Sequence, residues 1–194
     1  MNRKEPIVLA SRSPRRKQLL EWAEIDFDIL VKDTEEHFPP ELPVEEVPVY
    51  IAIRKAEAVR TCSEFNRYVP GSTILAADTI VVLDNRVIGK PANRNEAIET
   101  LTLLSGRTHR VITGVVILKG EETISFADIT EVGFHEITKE EIEYYVDHYQ
   151  PYDKAGAYAI QEWIGVTGIK SISGDFYNVM GLPVSRVVKI LNEL

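Results

Sequence analysis

Short apolar runs of strand length alternate along this chain with longer stretches of helical spacing, and that alternation constrains the fold more than any other feature. Ile7-Val8-Leu9-Ala10 has the length and branching of a buried strand, and Phe27 to Val31 predicts a second. Val47 to Phe65 carries apolar residues at helical spacing. Ser72 to Ala77 predicts another strand, which runs through Asp78-Thr79 into Ile80 to Leu83 and turns at Asp84-Asn85-Arg86 to return at Val87-Ile88. Asn93, with Glu96 three residues on, predicts a capped helix ending near Gly106. Thr108 to Lys119 and Thr123 to Phe134 read as a long antiparallel hairpin, and Lys139 to Tyr149 as a helix. Further on come a turn and short strand over Asp153 to Gln161, an extended segment over Val166 to Ile172, a glycine-punctuated loop over Gly174 to Pro183, and a terminal helix over Val184 to Leu194. Such an order specifies an α/β fold, a mixed sheet covered by helices. At 194 residues it fits one large domain or two closely joined lobes, with no repeat or composition break to mark a linker.

The join between the first strand and the first helix carries the strongest chemical signal. Ser13 suits an N-cap, Pro14 sits where a missing N–H costs nothing, and Leu19, Leu20 and Ala23 give the helix an apolar face. Arg15, Arg16 and Lys17 then crowd the positive end of the helix dipole, at a cost of about 0.3–1 kcal/mol each at low salt. An anion docked there reverses the sign. Free N–H groups, the hydroxyls of Ser11 and Ser13 and two guanidiniums suit phosphate; the alternative is a solvated basic turn.

The net charge of -8 and pI near 5.1 argue against general binding to nucleic acid or acidic lipid. A small polyanion needs only a local basic cluster, with a divalent cation to offset the surrounding acid. Cys62 is the single cysteine, so neither an internal disulfide nor a cysteine zinc cluster forms. With no signal peptide in the reading of Met1 to Pro6 and no apolar run of membrane length, the expectation is a cytoplasmic protein.

Asp78 stands between two strongly apolar runs, where an ionised carboxylate needs a cation or several hydrogen bonds. It reads either as an acceptor for a nearby loop or helix N-terminus, or as a metal ligand or general base. Glu35 and Glu36 lie in a polar, proline-broken loop from Lys32 to Pro43, where acids usually face solvent. Lys55 lies in a helix and reads as a solvated or snorkelling side chain. Gly89 and Pro91 present Lys90 from a defined chain direction. In Asp153 to Gln161 the small residues permit close approach, and the Gln161 amide offers a donor and an acceptor suited to a base edge. His37, His109, His135 and His148 show no zinc spacing and read as surface or packing residues.

Seven ordered motifs together resemble the Maf family of nucleoside triphosphate pyrophosphatases over nearly the whole chain. They are LASRSPRRKQLL (Leu9 to Leu20), RKAEAV (Arg54 to Val59), AADTIVV (Ala76 to Val82), GKP (Gly89 to Pro91), LSGRTHRVITGV (Leu104 to Val115), DKAGAYAIQ (Asp153 to Gln161) and GDFYNVMGLP (Gly174 to Pro183). The resemblance implies one Maf-like domain over 1–194, with a twisted mixed sheet in two lobes about a central cleft, similar to inosine triphosphate pyrophosphatases. It implies hydrolysis of a nucleoside triphosphate between the α- and β-phosphates with Mg²⁺ or Mn²⁺. Asp78 matches the catalytic acid and, with Glu35, the metal site. Ser11, Ser13, Arg15 and Arg16 match the triphosphate loop, and Lys55 and Lys90 the phosphate-site lysines. Arg15, Thr79 and Gln161 fall on positions tied to substrate choice. The arginine pair after Pro14 is similar to the dTTP/UTP branch, while Asn93 replaces an acid common at its position. The same resemblance implies a homodimer, a role in limiting incorporation of non-standard nucleotides, and a link to arrest of division. Two other readings are a pyrophosphatase for a modified purine nucleotide and a non-catalytic nucleotide-binding regulator of septum formation.

Overall fold

The computed structural model describes residues 5–35 and 37–194. Among them seven strands form one mixed sheet: β1 (Ile7–Leu9), β2 (Phe27–Ile29), β3 (Ile74–Leu83), β4 (Arg86–Ile88), β5 (Thr108–Lys119), β6 (Glu122–Phe134) and β7 (Ile169–Ser173). The order is β2-β1-β3-β5-β6-β7, with β4 paired to β3. Seven helices accompany them among the described residues: α1 (Pro14–Trp22), α2 (Val47–Arg60), α3 (Arg94–Leu104), α4 (Lys139–Tyr149), α5 (Trp163–Gly168), α6 (Phe176–Met180) and α7 (Val184–Glu193). None is long and apolar enough to cross a membrane.

The chain forms two compact units. One comprises Met1–Asp78, Thr113–Asp128 and Gly181–Leu194, the other Thr79–Ile112 and Ile129–Met180. In the first, β1 pairs in parallel with β2 and with β3, Val8 opposite Ile74 and Leu9 opposite Leu75. Val8, Ala10, Ile74, Ala76, Val116 and Leu118 pack with Ala52, Ala56 and Val59 of α2. The two alanines bring the helix close to the strands, and burial of this face, at about 25 cal/mol per Å² of apolar surface, is what anchors α2 and the lysine it carries. Gly114 on β5 makes the approach possible: a Cβ there would stand 2.2 Å from the Val49 nitrogen and 2.3 Å from the Pro48 carbonyl carbon.

In the second unit His109, 1% exposed, lies edge-on to Phe134 and Tyr158, its Nε2 2.7 Å from the Tyr158 hydroxyl. Its Nδ1 has no partner among the described residues, and burial pulls its pKa down to about 4. The packing alternative for this histidine is the one the structure supports. Because the folded value lies below the ordinary 6.5, protonation favours the unfolded chain, and stability present above pH 6.5 is lost as the pH falls toward 4. Urea denaturation is expected to show unfolding free energy lower by about 2 kcal/mol at pH 5 than at pH 7 from this group. The variant His109→Gln should flatten that dependence, and an unchanged slope would refute the assignment.

Four segments differ from the sequence-based expectation. Val166 to Ile172, rich in β-branched residues, divides into the end of α5 and then β7. A Cβ on Gly165 would stand 1.7 Å from the Ile160 carbonyl oxygen, so close packing of that turn overrides local strand preference. Asp153 to Gln161 contains a 3-10 turn at Ala155–Ala157 and no strand, because Gly156 and Ala157 adopt positive φ of 70° and 58°. The loop before Pro183 holds the short helix α6, whose Asn178 is fully buried and donates to the Val111 carbonyl at 3.1 Å and to Thr130 Oγ1 at 3.0 Å. The helix expected over Val47 to Phe65 also ends sooner, at Arg60, with a separate 3-10 turn at Ser63–Arg67.

Candidate active site

The turn after β1 is built as its residue types require. Ser13 caps α1, its Oγ accepting the Arg16 N–H at 3.4 Å, and Pro14 opens the helix. Arg16 is buried: its Nε donates to the Gly181 carbonyl at 2.7 Å and its Nη1 to Ser11 Oγ at 3.0 Å. This guanidinium braces the turn against a residue 165 positions away. Ser11 Oγ also accepts the Ser13 N–H at 3.2 Å, so its lone pairs are engaged and its own O–H remains to donate. The Arg15 guanidinium, half-buried, has no hydrogen bond or ion pair among the described residues. Arg12 is exposed and pairs with the exposed Asp33 at 3.1 Å, a contact worth about 0–1 kcal/mol.

Asp78 belongs to the same unit. Ala10 N–H donates to the Leu75 carbonyl at 2.8 Å, which sets the Ser11 turn beside the stretch of β3 leading to Asp78. Along β3 every residue is buried except Asp78 and Thr79, and these two carry neither the β1 pairing at Ile74–Leu75 nor the β4 pairing at Val81–Leu83. Lys55, on α2, donates to Asp78 Oδ1 at 2.7 Å, with the side chains 18% and 13% exposed. The other carboxylate oxygen has no partner among the described residues. Asp78 therefore meets its need for a cation through Lys55, a partner that helical spacing could not reveal.

Glu35 is exposed, with no hydrogen bond or ion pair among the described residues, and Glu36 lies outside them. No group of three or more His, Cys, Asp or Glu among the described residues could hold a metal ion. A Mg²⁺ site does not require one, since this ion commonly takes one or two carboxylates and completes its shell with water and substrate phosphate. The unpartnered oxygen of Asp78 fits that donor set.

In the second unit Lys90 is exposed after β4, and Thr79 is half-buried. Gly89 accepts the Gly156 N–H at 3.1 Å, tying the Lys90 segment to the Asp153 to Gln161 loop. Gly156 has φ 70°, and a Cβ there would stand 2.9 Å from Val81 Cγ2, so the contact depends on glycine. Gln161 is exposed and its amide has no hydrogen bond among the described residues. Lys154 and Glu162 escaped the sequence reading: Lys154 is buried and lies 3.6 Å from Glu162. The available signal was Glu162 directly after Gln161, with Lys154 of opposite charge at the head of the same segment.

These features define an open α/β protein whose polar groups gather beyond the carboxyl end of a parallel strand, where such sheets usually take small ligands. The chain belongs to the Maf family: the family profile described as "Maf-like protein" matches residues 6–194. A protein of Cytophaga hutchinsonii named dTTP/UTP pyrophosphatase is 52% identical over 188 residues, covering 97% of this chain and 84% of that one. One of Bacteroides thetaiotaomicron with the same name is 47% identical over 192 residues, covering 98% of this chain and 97% of that one. Among solved structures, a HAM1 protein from Coxiella burnetii aligns with TM-score 0.55 and 15% identity, covering 97% of this chain and 99% of that one, which shows a shared fold.

Proposed function

We propose that this protein is a nucleoside triphosphate pyrophosphatase acting on dTTP and UTP, and that its 194 residues serve as one domain. The relatives named dTTP/UTP pyrophosphatase support the substrate class. The observation that carries the chemistry is the Lys55–Asp78 pair beside the Ser11 to Arg16 turn, with one Asp78 oxygen left over. Ser11 and Ser13 hydroxyls, the α1 N-terminus and Arg15 receive phosphate oxygens, while Arg16 holds the turn in shape. Lys55 adds positive charge toward the triphosphate, whose own oxygens otherwise repel a nucleophile; by the family resemblance Lys90 of the second unit is a phosphate-site lysine as well.

Asp78 accepts a proton from the attacking water. The water oxygen bonds to phosphorus as one phosphorus–oxygen bond of the α–β bridge breaks, its electrons leaving with the departing phosphate group. Monophosphate and pyrophosphate result. Asp78, with Glu35 where the loop brings it in, would hold a Mg²⁺ or Mn²⁺ ion, which when bound supplies charge neutralisation and a more acidic water. Thr79 and the Gln161 amide address the base.

The test is a panel of dTTP, UTP, CTP and GTP with Mg²⁺ or Mn²⁺, following monophosphate, pyrophosphate and orthophosphate separately. Matched release of monophosphate and pyrophosphate, fastest from dTTP and UTP and abolished by chelator, is the expected result. Orthophosphate as the first product would refute the reading. Nucleotide-dependent stabilisation without turnover would favour a regulatory protein instead.

A further inference from the structure

The Gln161 amide, which has no hydrogen bond among the described residues, stands at the end of a heavily braced segment. Ala157 to Ile160 are all buried, Gln161 is exposed, and Glu162 is again held. The brace comes from Tyr145 on α4, a helix fixed at its start by the Thr138 and Glu141 capping box and at its core by Ile142 and Val146. Tyr145 is itself fully buried. Its hydroxyl accepts the Ala159 N–H at 3.2 Å and donates to Glu162 Oε2, gripping the chain two residues before Gln161 and one residue after it. The second oxygen of Glu162 lies 3.6 Å from Lys154 Nζ, and Lys154 pairs with Asp153 at 2.8 Å. With side chains 11% and 21% exposed, Lys154 and Glu162 are sheltered from full screening.

One phenol oxygen that both accepts and donates can satisfy its two partners only while the backbone of Ala159 and the carboxylate of Glu162 keep their separation. The Cα of Gln161 lies between them and inherits that placement. Reading a base edge with a single amide demands this, because a donor and acceptor shifted by about 1 Å no longer discriminate one base from another.

Resting on the pyrophosphatase reading above, we infer that Tyr145, Glu162 and Lys154 are positioning residues for base selection, acting through Gln161. Tyr145→Phe removes the shared hydroxyl and nothing else. The ratio of kcat/KM for dTTP to that for CTP is expected to fall about tenfold, mostly through a higher KM for dTTP, with kcat changed less than twofold. Glu162→Ala should lower the ratio similarly. Glu162→Gln, which keeps an acceptor for the tyrosine but loses its charge toward Lys154, should fall between that variant and the parent.

The measurement is the full panel of variants with dTTP, UTP, CTP and GTP, alongside the thermal midpoint of each and Gln161→Ala as reference. A purely structural brace would lower the midpoint and slow all four nucleotides alike, leaving the ratio intact. Parent-like ratios in folded Tyr145→Phe and Glu162→Ala would overturn the inference, as would a Gln161→Ala variant that still discriminates. Should Tyr145→Phe not fold, the two Glu162 variants decide. A parent protein that releases no pyrophosphate from any nucleotide refutes the functional reading and this inference together, whereas parental turnover with unmoved ratios refutes the inference alone.

Discussion

Asp78→Asn is expected to lower pyrophosphate release by about 10³-fold, the usual scale for loss of a general base, while the protein still folds. The substituted amide keeps an oxygen to which Lys55 can donate, so the contact that measures 2.7 Å in the parent survives in neutral form. It cannot take a proton at neutral pH, and it offers a bound cation no negative charge. Removing one charge of a pair that is 18% and 13% exposed costs some stability, about 1–2 kcal/mol for an isosteric change that preserves the hydrogen bond. Circular dichroism and a thermal melt check the fold, and a coupled pyrophosphate assay checks the rate. Turnover within tenfold of the parent would remove Asp78 from the proton-accepting role.

Gly114→Ala is expected to be the most damaging small substitution in the first unit, with a loss of about 3 kcal/mol or more. The added methyl would meet the Val49 nitrogen at 2.2 Å and the Pro48 carbonyl oxygen at 2.5 Å, and backbone cannot swing aside as a flexible side chain can. Helix α2 must then lift from β5 or its first turn must unwind. Both disturb the packing of Ala52 and Ala56 that holds Lys55 beside Asp78. In a chain of this length the thermal midpoint should fall by about 6–12 °C, and activity should fall with it as the ion pair loosens. A midpoint within about 2 °C of the parent would mean that α2 has room to move.

How far these properties can be read from the sequence depends on the range of the interaction. The Ser13 cap, Pro14 at the helix start, the Asn93 cap and the β5–β6 hairpin were legible because each is decided within a few residues. The need of Asp78 for a cation was also legible, since burial beside apolar neighbours is a local pattern; the identity of that cation was not, because Lys55 reaches it from another element. Arg16 reads as a second ligand by adjacency to Arg15, yet its guanidinium is held by Gly181 across almost the whole chain. The α5 to β7 boundary failed for a related reason: β-branched residues favour a strand, and only the fit of Gly165 against Ile160 shows why a helical turn precedes it. Tyr145 gives no hint in the sequence that its hydroxyl serves a loop rather than solvent.

The division of the chain between its units carries an evolutionary consequence. The backbone passes from one to the other at Asp78 and Thr79, at Ile112 and Thr113, at Asp128 and Ile129, and at Met180 and Gly181. The first three passages fall inside β3, β5 and β6. Neither half is therefore encoded as one uninterrupted stretch of gene, and neither can be duplicated or fused elsewhere as a single piece.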